Sequence, residues 1–305
     1  MKKLSILFLL IPLFVLSACG GTQQEAEGNS ADTEKETRTY ESENGPVEVP
    51  ANPERVVVLS TFAGNVMALD TNLVGVDSWS KMNPNFEEHL EGVEEVTDQD
   101  LEKILELEPD LIIGLGSTKN IDKLQEIAPT VTYTYGKFDY LEQHIEIGKL
   151  LNKEEEARQW VEDFKAEAEE TGEKIKEKIG EDATVTVIEN FDKELYVFGD
   201  NWARGTEILY QEMGLKMPEK VKEDVLEPGY YTISAEVLPE YAGDYIIFSE
   251  DSATDTSFEQ TETYQNIPAV KNDQVFKANA KAFYFNDALS LEYQLNFFQD
   301  KFLNE

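Results

Sequence analysis

Cysteine and histidine are nearly absent from this chain: Cys19, His89 and His144 are all it has in 305 residues. A lone thiol excludes a disulfide framework, so stability has to come from apolar cores. Two histidines are too few for the common His-rich zinc or manganese sets, and both sit in polar, helix-like surroundings that suit surface positions. Basic residues are scarce as well, with 26 Lys and Arg against 62 Asp and Glu, a formal charge of −36. That balance excludes nucleic acid as a partner and adhesion to an anionic lipid surface. It suits solubility in salty or alkaline surroundings. A field drawing in cationic ligands would be screened beyond about 8 Å at physiological salt. Catalytic signatures are missing too. No Gly-x-Ser-x-Gly elbow occurs, and Gly114-Leu115-Gly116-Ser117-Thr118-Lys119 lacks the Gly-Lys-Ser/Thr order of a phosphate loop.

No apolar run is long enough to span a membrane, which takes about 20 residues. The one at the start, Leu4 to Leu16, is uncharged, follows Lys2 and Lys3, and leads through Ser17-Ala18 into Cys19. Positive n-region, short apolar core and small residues make 1–18 a secretory leader. A single cysteine at the cut looks like a bacterial lipobox, so Cys19 is expected to be diacylated and to become the first mature residue. Losing Lys2 and Lys3 would take the charge from −36 to −38. Residues 19–39 include GGTQQEAEGNSADTEKETR, with no aromatic or large aliphatic side chain, and read as a flexible leash. Folded structure is expected from Tyr40, leaving about 265 residues, room for one large domain or two lobes.

From Pro50 short β-branched runs alternate with helical patterns. Arg55–Leu59, Leu73–Val76, Asp110–Gly114 and Val131–Tyr135 read as strands. Phe62–Leu69, Asp100–Leu107 with Asp100 as N-cap, Asn120–Ile127 and Tyr140–Leu151 read as helices. That spacing implies a parallel sheet covered on both faces, a first lobe over 40–151. Asn152-Lys153-Glu154-Glu155 reads as a capping box, and one apolar stripe runs from Trp160 to Ile179 with Gly180 as the stop. A helix over 152–180 would be about 40 Å long; two shorter helices broken at Gly172 are the alternative. A second set follows over 181–305, with strands at Thr184–Glu189, Leu195–Phe198, Asp244–Phe248 and Val275–Ala278. Its helices are expected at Thr206–Met213, Ser234–Glu240 and Asp287–Leu303. The architecture is α/β: lobe, long helix, lobe, with a ligand between the lobes near the strand ends.

The loops at those ends carry rings. Tyr133 and Tyr135 close the last strand of the first lobe, and Tyr196-Val197-Phe198-Gly199-Asp200-Asn201-Trp202-Ala203-Arg204-Gly205 runs from a strand through a turn into a helix start. Phe283-Tyr284-Phe285-Asn286-Asp287 adds more. From composition alone, the favoured reading packs Trp202 beneath the sheet and pairs Arg204 with a local carboxylate such as Asp200.

The segment Leu195–Gly205 resembles the corresponding segment of ferric hydroxamate siderophore-binding lipoproteins, the ferrichrome receptors of Gram-positive iron importers. Asn52-Pro53-Glu54-Arg55-Val56-Val57, Glu108-Pro109-Asp110-Leu111-Ile112-Ile113, Ile127-Ala128-Pro129-Thr130-Val131, Tyr241-Ala242-Gly243-Asp244-Tyr245-Ile246 and Tyr284-Phe285-Asn286-Asp287 agree in order. The similarity spans Tyr40 to the C-terminus. The Pro-Asp-Leu-Ile and Ala-Pro-Thr motifs mark the wider helical-backbone group that includes vitamin B12 and haem receptors, and the Trp202–Gly205 motif is narrower.

The resemblance implies a class III periplasmic-binding-protein-like fold and a receptor that performs no catalysis. A hydroxamate siderophore gives Fe(III) six oxygen ligands, so neither a metal site nor a cofactor of the protein is expected. By this analogy Arg204 donates to the hydroxamate oxygens, while Trp202, Tyr196, Tyr135 and Tyr284 wall the complex. Tyr284 departs from the tryptophan usual at that place in the group, which bears on ligand choice. Phe62 and Trp79 are further candidates that could equally be core. The group docks on a membrane permease through one acidic residue per lobe, and Glu102 and Glu236 hold the matching positions. The expected whole is a monomeric lipoprotein on the outer face of the cytoplasmic membrane that feeds an ABC importer. Receptors for haem, B12 or another iron chelate are alternatives, and a secreted hydrolase is one from a different class.

Overall fold

The structure, a computed structural model, describes residues 36–191 and 194–304. Cys19, the leader 1–18 and residues 19–35 of the expected leash lie outside those residues.

The described chain opens with a hairpin the composition concealed: β1 (Thr37–Ser42) pairs antiparallel with β2 (Gly45–Pro50), Thr37 opposite Pro50 and Ser42 opposite Gly45. Residues 37–39, expected in the leash, are therefore strand. Tyr40 anchors the hairpin in the first core, its hydroxyl 3.1 Å from that of Tyr133. Next come β3 (Val56–Val58), β4 (Leu73–Val76), β5 (Glu94–Glu95), β6 (Leu111–Leu115) and β7 (Thr130–Tyr133), ordered β5-β4-β3-β6-β7 and parallel throughout. Alternation along β3 and β6 fills two cores at once. Val56, Val58, Leu111 and Ile113 face one cluster, while Val57 and Ile112 face another with Ile104 and Leu124.

Two caps differ from expectation. The Asp100 carboxylate turns back to accept from the Thr97 backbone N–H and hydroxyl at 2.8 and 2.7 Å, so it leaves its own helix uncapped. No box forms at Asn152, whose φ of 60° sits in the left-handed region before the uncapped N-cap Lys153. The box forms instead at Asp139 and Glu142, opening the helix Tyr140–Leu150.

The connecting helix, Glu154–Ile179, is 26 residues long and unbroken. Gly172 does not divide it; the Met213 backbone approaches so closely that a Cβ on Gly172 would overlap it. The helix gives up propensity there and gains packing against the second lobe.

The second sheet is mixed: β8 (Val185–Phe191), β9 (Glu194–Phe198), β10 (Tyr230–Ile233), β11 (Tyr245–Glu250) and β12 (Val275–Asn279) lie in the order β10-β9-β8-β11-β12. β11 is parallel to β8 and β12, whereas β9 runs antiparallel to β8 and β10. The helix expected at Thr206–Met213 is π-form over Glu207–Glu212, that at Ser234–Glu240 shrinks to Leu238–Tyr241, and the last is α over Ala288–Gln299, then π over Asp300–Asn304.

The C-terminal helix starts against the first lobe. Asn65 Oδ1 accepts from the Ala288 N–H at 3.1 Å, Asn83 Nδ2 donates to Ser290 Oγ at 3.3 Å, and Phe285 meets Phe86 with centroids 5.8 Å apart. His144 belongs to this junction, contrary to its expected surface position. It is 1% exposed, its Nδ1 lies 3.0 Å from Asn65 Oδ1, and its ring packs 4.7 Å from that of Trp160. Burial lowers its pKa from 6.5 to about 4, so the ring is neutral and Nδ1–H donates. His89 is exposed, as expected.

Candidate functional site: the cleft between the lobes

At the end of β9 the chain leaves through Gly199-Asp200-Asn201-Trp202 and enters three successive left-handed residues: Ala203 (φ 55°), Arg204 (φ 58°) and Gly205 (φ 79°). Two non-glycine residues in that region cost of order 1–3 kcal/mol each, and local bonds hold them. The Arg204 N–H donates to Phe283 O at 2.8 Å, and the Ala203 N–H to Glu207 Oε1 at 2.9 Å. Burial raises the Glu207 pKa, and this carboxylate also accepts from Asn286 Nδ2 and the Thr206 hydroxyl. The strained turn thus sets Trp202 on the cavity between the lobes and Arg204 on a smaller opening beside it. A π-helical turn follows at once, a feature that recurs at functional sites.

Arg204 is fixed on every side. Its Nη2 and Nε donate to Glu189 Oε1 and Oε2 at 2.9 and 3.2 Å, and its Nη1 lies 3.4 Å from Trp202 O. The guanidinium carbon stands 4.9 Å from the ring centroids of both Phe198 and Tyr284. The partner is therefore Glu189 of β8, not Asp200, which adjoins the turn in sequence. Glu189 is 1% exposed and accepts a further bond from Ser249 Oγ at 2.6 Å.

Two openings meet at Trp202, which is 37% exposed. One, of about 190 Å³, is lined by Tyr196, Trp202, Arg204 and Tyr230. The other, of about 450 Å³, lies between the lobes, with Phe62, Asn65 and Tyr135 on one side and Asn201, Trp202 and Asn286 on the other. Tyr135 is 71% exposed. Trp79 of the first lobe meets Tyr284 edge to face, centroids 5.8 Å apart. Phe62 is mostly core, packed on Tyr133 at 5.5 Å, with the cavity along one margin. Burial first, then the Glu189 charge, pushes the Tyr284 pKa to about 12, so its hydroxyl remains protonated. Glu102 and Glu236 are both exposed and lie on different lobes, each in the segment that follows an edge strand, β5 and β10.

Sequence reasoning missed Glu189, Tyr230, Asn286 and Phe191, which lines the smaller opening and meets Tyr284 with centroids 6.4 Å apart. A carboxylate closing the apolar run Val185–Ile188 was a usable signal for the first. Tyr230 was hidden because β10 went unrecognised. Among the described residues, no group of three or more His, Cys, Asp or Glu side chains could hold a metal ion, and no helix is long and apolar enough to cross a membrane.

Comparison with known proteins places the fold. A family model described as "Periplasmic binding protein" matches residues 56–282. The chain belongs to that family. It is 37% identical over 312 residues to the iron(3+)-hydroxamate-binding protein YxeB of Bacillus subtilis, covering 98% of this chain and 97% of the relative. It is equally 37% identical over 305 residues to the FhuD protein of the same organism, which is also named for iron(3+)-hydroxamate binding, covering 97% and 96%. Among solved structures, Staphylococcus aureus FhuD2 with bound ferrioxamine B matches with a TM-score of 0.77 at 34% identity, covering 83% of this chain and 99% of that one. The FhuD protein of S. pseudintermedius matches with a TM-score of 0.78 at 33% identity, covering 88% and 99%. As in this family, two α/β lobes are joined by one long helix, and the named relatives are binding proteins.

Proposed function

We propose that this protein is an extracytoplasmic receptor that captures ferric hydroxamate siderophores and delivers them to an ABC permease, without catalysing a reaction. The observation that supports the reading is that Trp202 is shared by the interlobe cavity, where Tyr135 stands opposite it, and by the smaller opening lined by Tyr196, Tyr230 and Arg204. Iron that arrives already coordinated needs rings for contact area and one planar donor for its hydroxamate oxygens. Arg204 supplies that donor. Glu102 and Glu236 are the residues through which each lobe would meet the permease, and Cys19 is the lipid attachment point that keeps the receptor at the membrane. The junction of the C-terminal helix with Asn65 and Asn83 resists wide opening, so recognition rests on a largely preformed pocket.

Titration with ferrioxamine B and ferrichrome tests the reading. Trp202 lines both cavities and Trp79 packs on Tyr284, so tryptophan fluorescence should quench saturably at submicromolar ligand. No saturable quench with either complex would refute it, and turnover of an ester or glycoside substrate would favour a hydrolase.

A further inference from the structure

Glu189 sits beneath Arg204, the one base along the smaller opening, and does not line the larger cavity. Its carboxylate is 1% exposed, takes two bonds from the Arg204 guanidinium at 2.9 and 3.2 Å, and is held by Ser249 Oγ at 2.6 Å. A buried bidentate pair fixes the plane of the guanidinium, and in a low-dielectric wall each charge cancels most of the other's field at the surface. Phe198 and Tyr284 both pack on the same group, each ring centroid 4.9 Å from its carbon, and restrict its orientation. The remaining charge beside Tyr284 is balanced as well, since Asp251 lies 3.7 Å from Lys281. Along both cavities, Arg204 is the only Lys or Arg among the described lining residues, and Glu189, Asp139 and Glu207 are the acids.

We infer that Glu189 is a positioning residue that sets the charge preference of the cleft: it orients the Arg204 fork and neutralises its field, so the site selects ferric chelates of zero or positive net charge and rejects anionic ones. The inference rests on the reading of the cleft as the chelate site. Arg204 then acts through directed hydrogen bonding, using the Nη1 edge, which Glu189 does not engage and which reaches Trp202 O only at 3.4 Å. A wall that offered an uncancelled guanidinium would favour polyanionic complexes, whose binding depends on ionic strength.

The test compares neutral ferric ferrichrome with a triply negative ferric tris-catecholate on wild type, Glu189→Gln and Glu189→Asp, with thermal melts on each. Glu189→Gln should shift the ratio of dissociation constants at least tenfold toward the tris-catecholate. Glu189→Asp, which keeps the charge, should leave the ratio within twofold of wild type even where both affinities fall. Equal weakening of both ligands by Glu189→Gln would mean a merely structural role and would overturn the inference. If that variant does not fold, the wild type still decides: its tris-catecholate affinity should not fall between about 20 and 500 mM salt, and a steep fall would overturn the inference. Failure of the wild type to bind ferrichrome at all would strike the receptor reading itself, a result separate from an unchanged ratio.

Discussion

Trp79 and Tyr284 touch edge to face across the interlobe gap, one ring from each lobe, with centroids 5.8 Å apart. Tyr284 lies in turn over the Arg204 guanidinium, so a first-lobe ring steadies the wall that holds the charged donor. Aromatic pairs of this kind contribute about 0.5–1.5 kcal/mol beyond buried area. Trp79→Ala is expected to weaken ferric hydroxamate binding three- to tenfold, read by calorimetry, with little change in melting temperature because Trp79 is exposed. A large loss of stability with unchanged affinity would place Trp79 in the fold and not in the site.

Arg204 separates fork from charge. Arg204→Lys keeps a cation opposite Glu189 but loses the planar donor pair and the stacking between two rings. Affinity for the ferric complex should fall at least tenfold, about 1.4 kcal/mol, and an unchanged dissociation constant would remove Arg204 from the site. Arg204→Ala should cost more in stability, about 3–5 kcal/mol, because it strands a buried carboxylate. Chemical denaturation measures that difference.

Gly64 and Asp287 set the join between the lobes. A Cβ on Gly64 would overlap the Asp287 carboxylate. Helix propensity alone predicts that Gly64→Ala gains up to about 1 kcal/mol. Overlap with a fully buried, hydrogen-bonded carboxylate outweighs that gain. The variant should lose about 1–3 kcal/mol, and a raised melting temperature would contradict the packing described.

His144 and Asp287 give opposite pH dependences. The folded His144 pKa, about 4, lies below its ordinary 6.5. Its neutral form is favoured on folding, so the associated stability is complete above pH 6.5 and is lost as pH falls toward 4. Asp287 is raised by burial from 3.8 to about 6, so its contribution is present below pH 4 and lost as pH rises to 6. Across that window the two largely offset. His144→Gln should remove about 2 kcal/mol of acid destabilisation at pH 5, leaving a stability that declines from pH 4 to 6, while Asp287→Asn should do the reverse. Parallel unfolding curves for both variants at pH 5 and pH 7 would contradict these assignments.

Cys19→Ala tests the anchor. The variant should appear in the culture medium while wild type stays with membranes, and retention of the variant would refute lipidation at Cys19.

Much of the architecture was readable because strands buried on both faces leave continuous β-branched runs. Val56-Val57-Val58 and Leu111-Ile112-Ile113 carry that signature, and so did the uninterrupted stripe of the connecting helix. The hairpin Thr37–Pro50 was not readable: it buries only Tyr40, Val49 and Pro50, and most of its other positions are polar or exposed. β10 was missed because Tyr230 and Tyr231 are exposed at a sheet edge. The site was readable where the strand-turn-helix segment around Trp202 supplied it. Its partner Glu189 was not, because 15 residues separate it from Arg204 along the chain.

The sequence by itself determined the α/β alternation, the long helix, the excess of acid and the supply of rings at strand ends, since each follows from local composition and period. Tertiary structure alone decided which carboxylate meets Arg204, that His144 is buried and neutral, and that the C-terminal helix locks onto the first lobe. Those outcomes depend on which elements become neighbours in space, and side-chain pairing between distant segments leaves no periodic trace along the chain.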